Sequence, residues 1–198
     1  MMVRGRPREF STDAALDRVL EVFWRDGFEG ASVQALADAA GVSKPSLYAA
    51  WGNKEDLYLA ALRRYQALHG ATLETQLEAE PDVRRAVHTY LRSMVDAYTE
   101  RSHPSGCLVA AGATGCESDR VPESVRGALC EALNASGAVL ERRLARGQAE
   151  GQLPPDADVT ALATYLSTLV LGMSVQARAG ASRSTLCGVV DEAMARWG

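Results

Sequence analysis

A group of polar side chains that could bind nucleic acid lies between residues 32 and 54. Most of them fall within one short segment, at a spacing that places them on the N-terminal half of a single helix. Hydroxyl and ammonium groups donate hydrogen bonds to base edges and to phosphate oxygens. The segment therefore predicts base contacts, with phosphate contacts from the flanking helix N-termini. The residues are Ser32, Ser43, Lys44, Ser46, Tyr48 and Lys54.

A basic arm precedes this group. The first eight residues contain three arginines and no acidic residue, although the whole chain has a formal net charge of −4. Arg4-Gly5-Arg6-Pro7 has the core sequence of an AT-hook, in which Arg4 and Arg6 would enter a narrow A·T minor groove. The alternative is a flexible basic tail that makes only screened phosphate contacts. In both cases the arm predicts that binding depends on salt concentration.

Two short helices joined by a tight turn are predicted to carry the polar group. Ser32 can cap the first helix, Gly41 ends it, and Ser43 can cap the second. Asn53, with Asp56 three residues later, predicts the start of a further helix. Helix, glycine turn and helix is the arrangement of a helix-turn-helix, whose second helix lies in the DNA major groove. Any helical hairpin with a glycine turn would share this pattern.

Helical periodicity continues along the whole chain. Apolar residues recur at helical spacing, and neither an alternating strand pattern nor a hairpin signal is found. Hydrophobic residues make up 47% of the 198 residues, which is enough for a sizeable core. The predicted fold class is all-α, with about nine helices: an N-terminal three-helix head that carries the helix-turn-helix, and a larger C-terminal helical bundle. We expect the arm and head at residues 1–56 and the body at residues 57–198.

A dense set of positions between about 10 and 62 matches one known pattern. These positions are Ala15-Leu16, Phe23, Gly27-Phe28, Ser32-Val33, Leu36-Ala37, Ala40-Gly41-Val42-Ser43, Ser46-Leu47-Tyr48, Trp51 and Asn53-Lys54-Glu55-Asp56-Leu57. The string resembles the TetR family of one-component transcriptional regulators. It departs from the family at Trp51, where phenylalanine is usual, and at Gly52, where a polar residue is common. The resemblance implies a homodimeric regulator, with a repressor as the expected kind. It also implies a palindromic operator and release of the DNA when the C-terminal domain binds a small molecule.

The last two helices are predicted to form the dimer interface. The segment Gly172-Met173-Ser174 resembles one branch of the family, in which these helices pair with those of a second subunit. A helix that is apolar over most of its circumference is buried either in a core or at an interface. Burial within the subunit's own core would explain the apolar pattern equally well.

The body is expected to hold a small hydrophobic or aromatic effector, because the segments that would surround such a molecule are largely apolar. Each candidate for its binding site could instead be an ordinary core side chain. The candidates are His88, Met94, Tyr98, Cys107, Cys116, Tyr165 and Met173.

His103 and Cys107 suggest an alternative regulatory chemistry. Together with Cys116 and His88 they could bind a soft or borderline metal ion, or Cys107 could act as a reactive sensor thiol. The spacing of the four cysteines matches no metal or redox motif, and small buried cysteines commonly serve in packing. No metal site and no cofactor is therefore predicted.

Other functional classes find little support in the sequence. The three histidines, His69, His88 and His103, lie in no recognised catalytic motif, so the chain is expected not to be an enzyme. No secretory signal is recognised, and no uninterrupted apolar run reaches the roughly 18 residues of a membrane span. We therefore expect a cytoplasmic protein with double-stranded DNA as its partner and no contact with a membrane. The alternative within the DNA-binding class is an architectural protein, which would bind many sequences with similar affinity.

Overall fold

The computed structural model describes residues 12–114 and 118–197, and within these ranges it contains nine α-helices and no strand. The predicted all-α fold is thereby confirmed. The helices are α1 (Thr12–Gly30), α2 (Val33–Ala40), α3 (Lys44–Trp51), α4 (Lys54–Ala79), α5 (Val83–Thr99), α6 (Leu108–Ala113), α7 (Glu123–Ala149), α8 (Val159–Arg178) and α9 (Arg183–Ala195).

Helices α2, α3 and α4 begin at the capping residues that the sequence indicates. The hydroxyl of Ser32 accepts a hydrogen bond from the Ala35 amide at 3.1 Å, which caps α2. At the start of α4, the Asp56 amide donates to Asn53 Oδ1 at 2.9 Å and the Asn53 amide donates to Asp56 Oδ2 at 3.0 Å. This reciprocal capping box satisfies two amides that would otherwise have no helical partner.

Helix α1 is interrupted at Gly27. Its assigned span runs to Gly30, but Gly27 has φ 71° and ψ −179°, a conformation that only glycine adopts readily. The regular helix therefore ends near Gly27, and a short turn leads into α2.

Buried apolar side chains form two clusters. The head cluster joins α1, α2, α3 and the first half of α4, and it extends to Leu108 of α6 and to Val125 and Leu129 of α7. The body cluster joins the end of α4 to α5, α8, α9 and the second half of α7. Helix α4 contributes Leu57 to the first cluster and Leu77 to the second, so it crosses the domain boundary predicted near residue 56.

The C-terminal end of α4 is fixed to α7 by arginines. Arg143 is fully buried, and its guanidinium donates to the carbonyl oxygens of Leu77, Glu80 and Pro81 at 3.1, 2.7 and 3.0 Å. These bonds satisfy carbonyl groups that a helix end leaves without partners. Glu78 of α4 adds ion pairs to two neighbouring arginines of the same helix α7.

Helix α8 has a buried side and an exposed apolar side. Leu166, Val170 and Met173 lie in the body cluster, whereas Tyr165 and Val175 are 49% and 52% exposed. By length and composition α8 is also long and apolar enough to cross a membrane, the one such helix in the described residues. The search for uninterrupted apolar runs did not identify this helix. Serines and threonines interrupt its apolar run, but its mean hydropathy stays high.

Candidate functional site

The turn between α2 and α3 has the geometry of a helix-turn-helix. Gly41 adopts a left-handed conformation, with φ 72°, and its amide donates to the Asp38 carbonyl at 3.1 Å. The Val42 amide donates to the Ala37 carbonyl at 3.1 Å, which completes the helix end. Ala37 and Leu47 are buried where the two helices pack. The second helix is thus held firmly on its inner side.

The outer side of α3 presents the predicted donors to solvent. Ser43, Lys44 and Ser46 are exposed, and Tyr48 is 43% exposed. Ser43 caps α3 by accepting from the Ser46 amide at 3.3 Å, and the two hydroxyl oxygens are 2.9 Å apart. The structure therefore brings these residues together on one exposed helix N-terminus, where the partial positive charge of the helix adds to that of Lys44.

Two further predicted contacts lie at the starts of neighbouring helices. Ser32 is exposed at the N-cap of α2, and its hydroxyl keeps its own hydrogen for donation. Lys54 begins α4 with its ammonium 4.8 Å from the centre of the Phe28 ring and 3.5 Å from the Glu29 carbonyl oxygen. Burial lowers the pKa of Lys54, and the charge of Glu29 opposes that effect. Arg4 and Arg6 lie outside the described residues.

Sequence reasoning missed the arginines that hold the head together. Arg18 of α1 donates to the carbonyl oxygens of Ala39 and Ala40 at 2.7 and 3.2 Å and so caps the end of α2. Arg64 of α4 forms a bidentate ion pair with Asp17 at 2.7 and 3.0 Å. The partners lie more than twenty residues apart in the chain, so helical periodicity could not have paired them.

A cavity of about 360 Å³ lies between the head and the body. Helices α1, α4, α5, α6, α7 and α8 contribute to its walls, which are mostly apolar. Of the predicted effector residues, Met94, Tyr98 and Cys107 line it. Residues that the prediction did not include also line it, among them Trp24, Tyr65, His69, Tyr90, Val139 and Val170.

Three of the remaining effector candidates do not line the cavity. Tyr165 is on the exposed side of α8, and Met173 is packed in the body cluster. His88 is partly buried on α5 and is not part of the cavity wall. Cys116 lies outside the described residues. A helix with apolar residues on several sides does not show from sequence alone which side faces a cavity.

Aromatic and histidine rings form one continuous cluster at the head end of the cavity. The rings of Trp24 and His103 stack with centroids 4.5 Å apart, and His69 lies edge-on to Trp24 at 5.4 Å. Tyr65 and His69 are 4.8 Å apart. Burial, with a smaller contribution from His103, lowers the pKa of His69 and so favours its neutral form. The cluster joins α1, α4 and the loop after α5.

Cys107 contacts α4 and α8 and begins α6. The Tyr65 hydroxyl donates to its sulfur at 3.3 Å, and its amide donates to the buried Ser174 hydroxyl of α8 at 2.9 Å. Cys107 is also the N-cap residue of α6 and packs against both apolar clusters. Cys107 therefore connects the cavity wall to α6 and α8.

A metal site finds no support in the described part of the chain. No group of three or more His, Cys, Asp or Glu residues there is arranged to hold a metal ion. His103 instead stacks on Trp24, and its Nδ1 lies 3.0 Å from the Pro104 carbonyl oxygen.

Exposed donors on a short helix that a second helix braces, joined to a helical body, define a helix-turn-helix transcriptional regulator. The chain belongs to the TetR family. Residues 15–61 match the family model for bacterial regulatory proteins of the tetR family. Residues 83–192 match the model for the tetracyclin repressor-like C-terminal domain.

Characterised and solved relatives span almost the whole chain. The transcriptional repressor ComR of Escherichia coli K12 is 36% identical over 98% of this chain and 92% of its own length. The uncharacterised regulator YezE of Bacillus subtilis is 30% identical over 94% of this chain and 96% of its own length. A cysteine mutant of the TetR family regulator CifR, complexed with 26-bp double-strand operator DNA, is 40% identical. That structure has a TM-score of 0.90 and covers 98% of this chain and 100% of its own.

Proposed function

We propose that this protein is a transcriptional repressor that binds a palindromic operator as a homodimer and leaves it when a small hydrophobic or aromatic effector binds. The observation that carries this proposal is the position of the cavity, whose walls include Trp24 of α1 and Tyr65 of α4. Both helices also belong to the apolar cluster that supports the helix-turn-helix. A ligand in this cavity would therefore touch α1 and α4, the helices that support α3. The repressor ComR and the operator-bound CifR support this assignment.

The exposed donors divide into two kinds of DNA contact. Ser43, Lys44 and Ser46, at the N-terminus of α3, are proposed to read base edges in the major groove. Ser32, Tyr48 and Lys54 are proposed to bind phosphates on either side, and the caps of α2 and α4 support these roles for the first and last. Arg4 and Arg6 would add minor-groove or phosphate contacts from the arm. Residues 1–56 act in this proposal as the DNA-binding domain, and residues 57–198 as the effector and dimer domain.

The dimer is proposed to form through the last two helices. Tyr165, Leu171 and Val175 of α8 and Val189 of α9 are large apolar side chains exposed on the subunit surface. Apolar surface of this kind, on helices that pack together, is typical of an interface with a second copy of the chain. The C-terminal family match includes both helices. Burial of this face also offers α8 an environment other than a membrane.

Coupling between cavity and DNA is proposed to run through two fixed contacts. Arg178 of α8 donates to the carbonyl oxygens of Trp24 and Arg25 at 3.0 and 3.3 Å, where α1 ends. Arg143 of α7 holds the C-terminal end of α4 in place by donating to backbone carbonyl oxygens there. A ligand that pushes on the middle of α4 would therefore move its N-terminal half, together with α3. This shift would change the spacing of the two recognition helices in the dimer.

The repressor role can be tested by transcription in vitro from a promoter that overlaps a site bound by the protein. We expect transcript yield to fall as protein is added, and to stay constant on a matched promoter with a scrambled site. An increase in transcripts would show an activator, and no change on the specific promoter would contradict regulation at that position.

A second candidate function is a repressor that senses its effector through a reactive thiol. The position of Cys107 on the cavity wall favours it. N-Ethylmaleimide would test it, since its double bond accepts the thiol sulfur at one carbon and the thiol proton at the other. Release of operator DNA by the reagent from the wild type, but not from Cys107→Ser, would support a sensor thiol. Equal release from both proteins would exclude this residue.

An architectural role and a catalytic role receive less support. The regulator CifR is solved with operator DNA, and a regulator should prefer its operator over random DNA by a factor of about 10³ or more. The relatives with assigned roles are transcriptional regulators, which supports a regulatory rather than an enzymatic protein. Since its proposed partner is chromosomal DNA, the proposed location is the cytoplasm.

A further inference from the structure

Three tyrosines and a cysteine line the cavity. We call Tyr65, Tyr90, Tyr98 and Cys107 the tyrosine cluster, and all four line the cavity wall. Burial raises the pKa of Tyr98 well above its usual value, and Cys107, Tyr65 and Tyr90 raise it further. The pKa of Tyr90 is raised to about 12, first by burial and then by Cys107. These phenols therefore stay protonated at neutral pH and can donate hydrogen bonds.

Two of the three tyrosine hydroxyls donate no hydrogen bond within the described part of the protein. Tyr65 donates to the Cys107 sulfur. Within residues 12–114 and 118–197, no hydrogen bond occupies the hydroxyl of Tyr90 or Tyr98. Tyr90 and Tyr98 are only 8% and 5% exposed, and both line the cavity. Both donors would be satisfied by an acceptor atom of a molecule in the cavity.

The described walls of the cavity offer no permanent positive charge to an anionic ligand. Among residues 12–114 and 118–197, neither a lysine nor an arginine lines the cavity. The acidic residue on the wall, Glu74, is paired with Arg142 at its outer edge. His69 is shifted toward its neutral form by burial. A carboxylate in this cavity would lose its hydration without gaining a cationic partner.

We propose that the cavity binds a neutral, largely apolar molecule with one hydrogen-bond acceptor oxygen, such as a ketone or an ester. The hydroxyls of Tyr90 and Tyr98 donate to that oxygen, and the apolar walls formed by residues such as Met94, Val139 and Val170 hold the rest of the molecule. This inference rests on the proposed function in one respect, since it takes the cavity to be the effector site.

The test compares three probes of one shape by equilibrium dialysis against the full-length protein without DNA. The probes are 2-acetylnaphthalene, which carries a ketone oxygen, 2-ethylnaphthalene, which lacks it, and 2-naphthoate, which is anionic. We expect the ketone to bind about 10-fold more tightly than either of the others, the difference typical of one hydrogen bond. Equal or tighter binding of 2-naphthoate or 2-ethylnaphthalene, or no binding of any probe, would overturn the proposal.

Phenylalanine variants locate the contact. Tyr90→Phe and Tyr98→Phe each remove one hydroxyl and keep the ring, and thermal melting shows whether each variant is folded. Both should weaken binding of the ketone by about 5- to 10-fold and leave 2-ethylnaphthalene within about 2-fold, because only the ketone uses the hydroxyl. An equal loss for both probes would assign these tyrosines a packing role only and would overturn the proposal. The wild-type probe series remains decisive if a variant does not fold.

The outcome separates this inference from the proposed function. Dialysis reports ligand chemistry alone, whereas operator affinity with and without 2-acetylnaphthalene reports regulation. Preferred binding of the ketone with unchanged operator affinity would support the ligand class and contradict effector release. Release of the operator by 2-naphthoate in preference to the ketone would support effector release and overturn the ligand class.

Discussion

Lys44 and Lys54 lie at the starts of successive helices, yet the structure gives them different surroundings. Lys44 is exposed at the N-terminus of α3, whereas Lys54 is partly buried beside Phe28. The side chain of Lys44 is free to enter a DNA groove. The ammonium of Lys54 is instead held beside the backbone carbonyl oxygen of Glu29. This difference supports a base-reading role for one and a phosphate-binding role for the other.

Alanine substitutions of the two lysines are predicted to have distinct effects. Lys54→Ala should weaken binding to all DNA sequences alike and reduce the salt slope by about one, because one phosphate contact is lost. Lys44→Ala should change discrimination at one base position by about 1–3 kcal/mol. Fluorescence anisotropy on a set of single-base operator variants at several salt concentrations measures both. An equal loss on every sequence from Lys44→Ala would contradict its base-reading role.

Arg143 is a buried charge whose donors bind three carbonyl oxygens at the α4–α5 junction. Arg143→Met keeps the apolar stem but leaves those oxygens without their partner. We predict that it lowers the free energy of unfolding by about 3 kcal/mol, the scale of losing hydrogen bonds to a buried charged group. Chemical denaturation measures the change.

Arg196→Met provides the matched control. Arg196, at the C-cap of α9, forms an exposed ion pair with Glu192, and such pairs contribute at most about 1 kcal/mol. A similar loss for both variants would contradict a special role for Arg143.

The candidate DNA contacts were predictable from sequence because they depend on local rules. A serine before a helix and a glycine after it determine where Ser43 and Lys44 lie, whatever the rest of the chain does. The cavity residues Trp24 and Tyr65 were not predictable in this way. Their roles depend on which side of α1 and α4 meets the body, and that is decided by packing between segments far apart in sequence.

At the scale of elements, α6 is the short helix between the cavity and the head. Its N-cap is Cys107, and Leu108 belongs to the head cluster. Gly112 allows it to approach α4 and α7, since a Cβ there would lie 2.7 Å from the Tyr58 hydroxyl oxygen and 2.9 Å from Leu129 Cδ2. The close approach leaves α6 little room to move without moving its neighbours.

Gly112→Ala is therefore predicted to destabilise the protein by about 1–3 kcal/mol, the usual cost of overpacking. Gly137→Ala is the control, because a Cβ at this position of α7 meets nothing within 4 Å. It should be neutral or stabilise by up to about 1 kcal/mol through helix propensity. Thermal unfolding of both variants measures the difference, and destabilisation of equal size would argue against the tight α6 contact.

Helix α8 shows where element-level prediction ends. The sequence predicts that α8 is an apolar helix, but it does not show which of its apolar residues, such as Leu166, Val170 and Met173, are buried. In the structure these three are core residues, while Tyr165 and Val175 remain exposed. When nearly every side of a helix is apolar, periodicity carries no information about which side faces the core.

At the scale of the whole molecule, the exposed face of α8 and α9 leads to a prediction about assembly. Val175→Arg places a charge in the proposed interface and should convert the dimer to a monomer. Operator affinity should then fall by at least about 100-fold, since the two heads no longer bind as a linked pair. Analytical ultracentrifugation and anisotropy report the two effects.

Leu68→Arg is the control for this variant. Leu68 is 44% exposed on α4, which is not one of the two helices of the proposed interface, so the same change of an apolar side chain to a charge should leave the dimer intact. A dimeric Val175→Arg protein would contradict the proposed interface.

The class of fold and the location of the helix-turn-helix were predictable because both depend on patterns that repeat within a few residues. The two apolar clusters, and the way α4 joins them, depend on the meeting of distant helices. The head cluster includes residues of α6 and α7 that no local signal assigns to the head. The molecule is thus more closely joined across residue 56 than the sequence alone suggests.

Selection of random duplex DNA by the purified protein tests the central claim most directly. The bound sequences are amplified and sequenced after several rounds at a fixed salt concentration. We predict a palindrome whose half-sites are about one helical turn apart, because two recognition helices of a symmetric dimer face one side of the DNA. Recovery of no motif, or only of A·T-rich DNA without symmetry, would contradict a dimeric operator-specific regulator and favour an architectural protein.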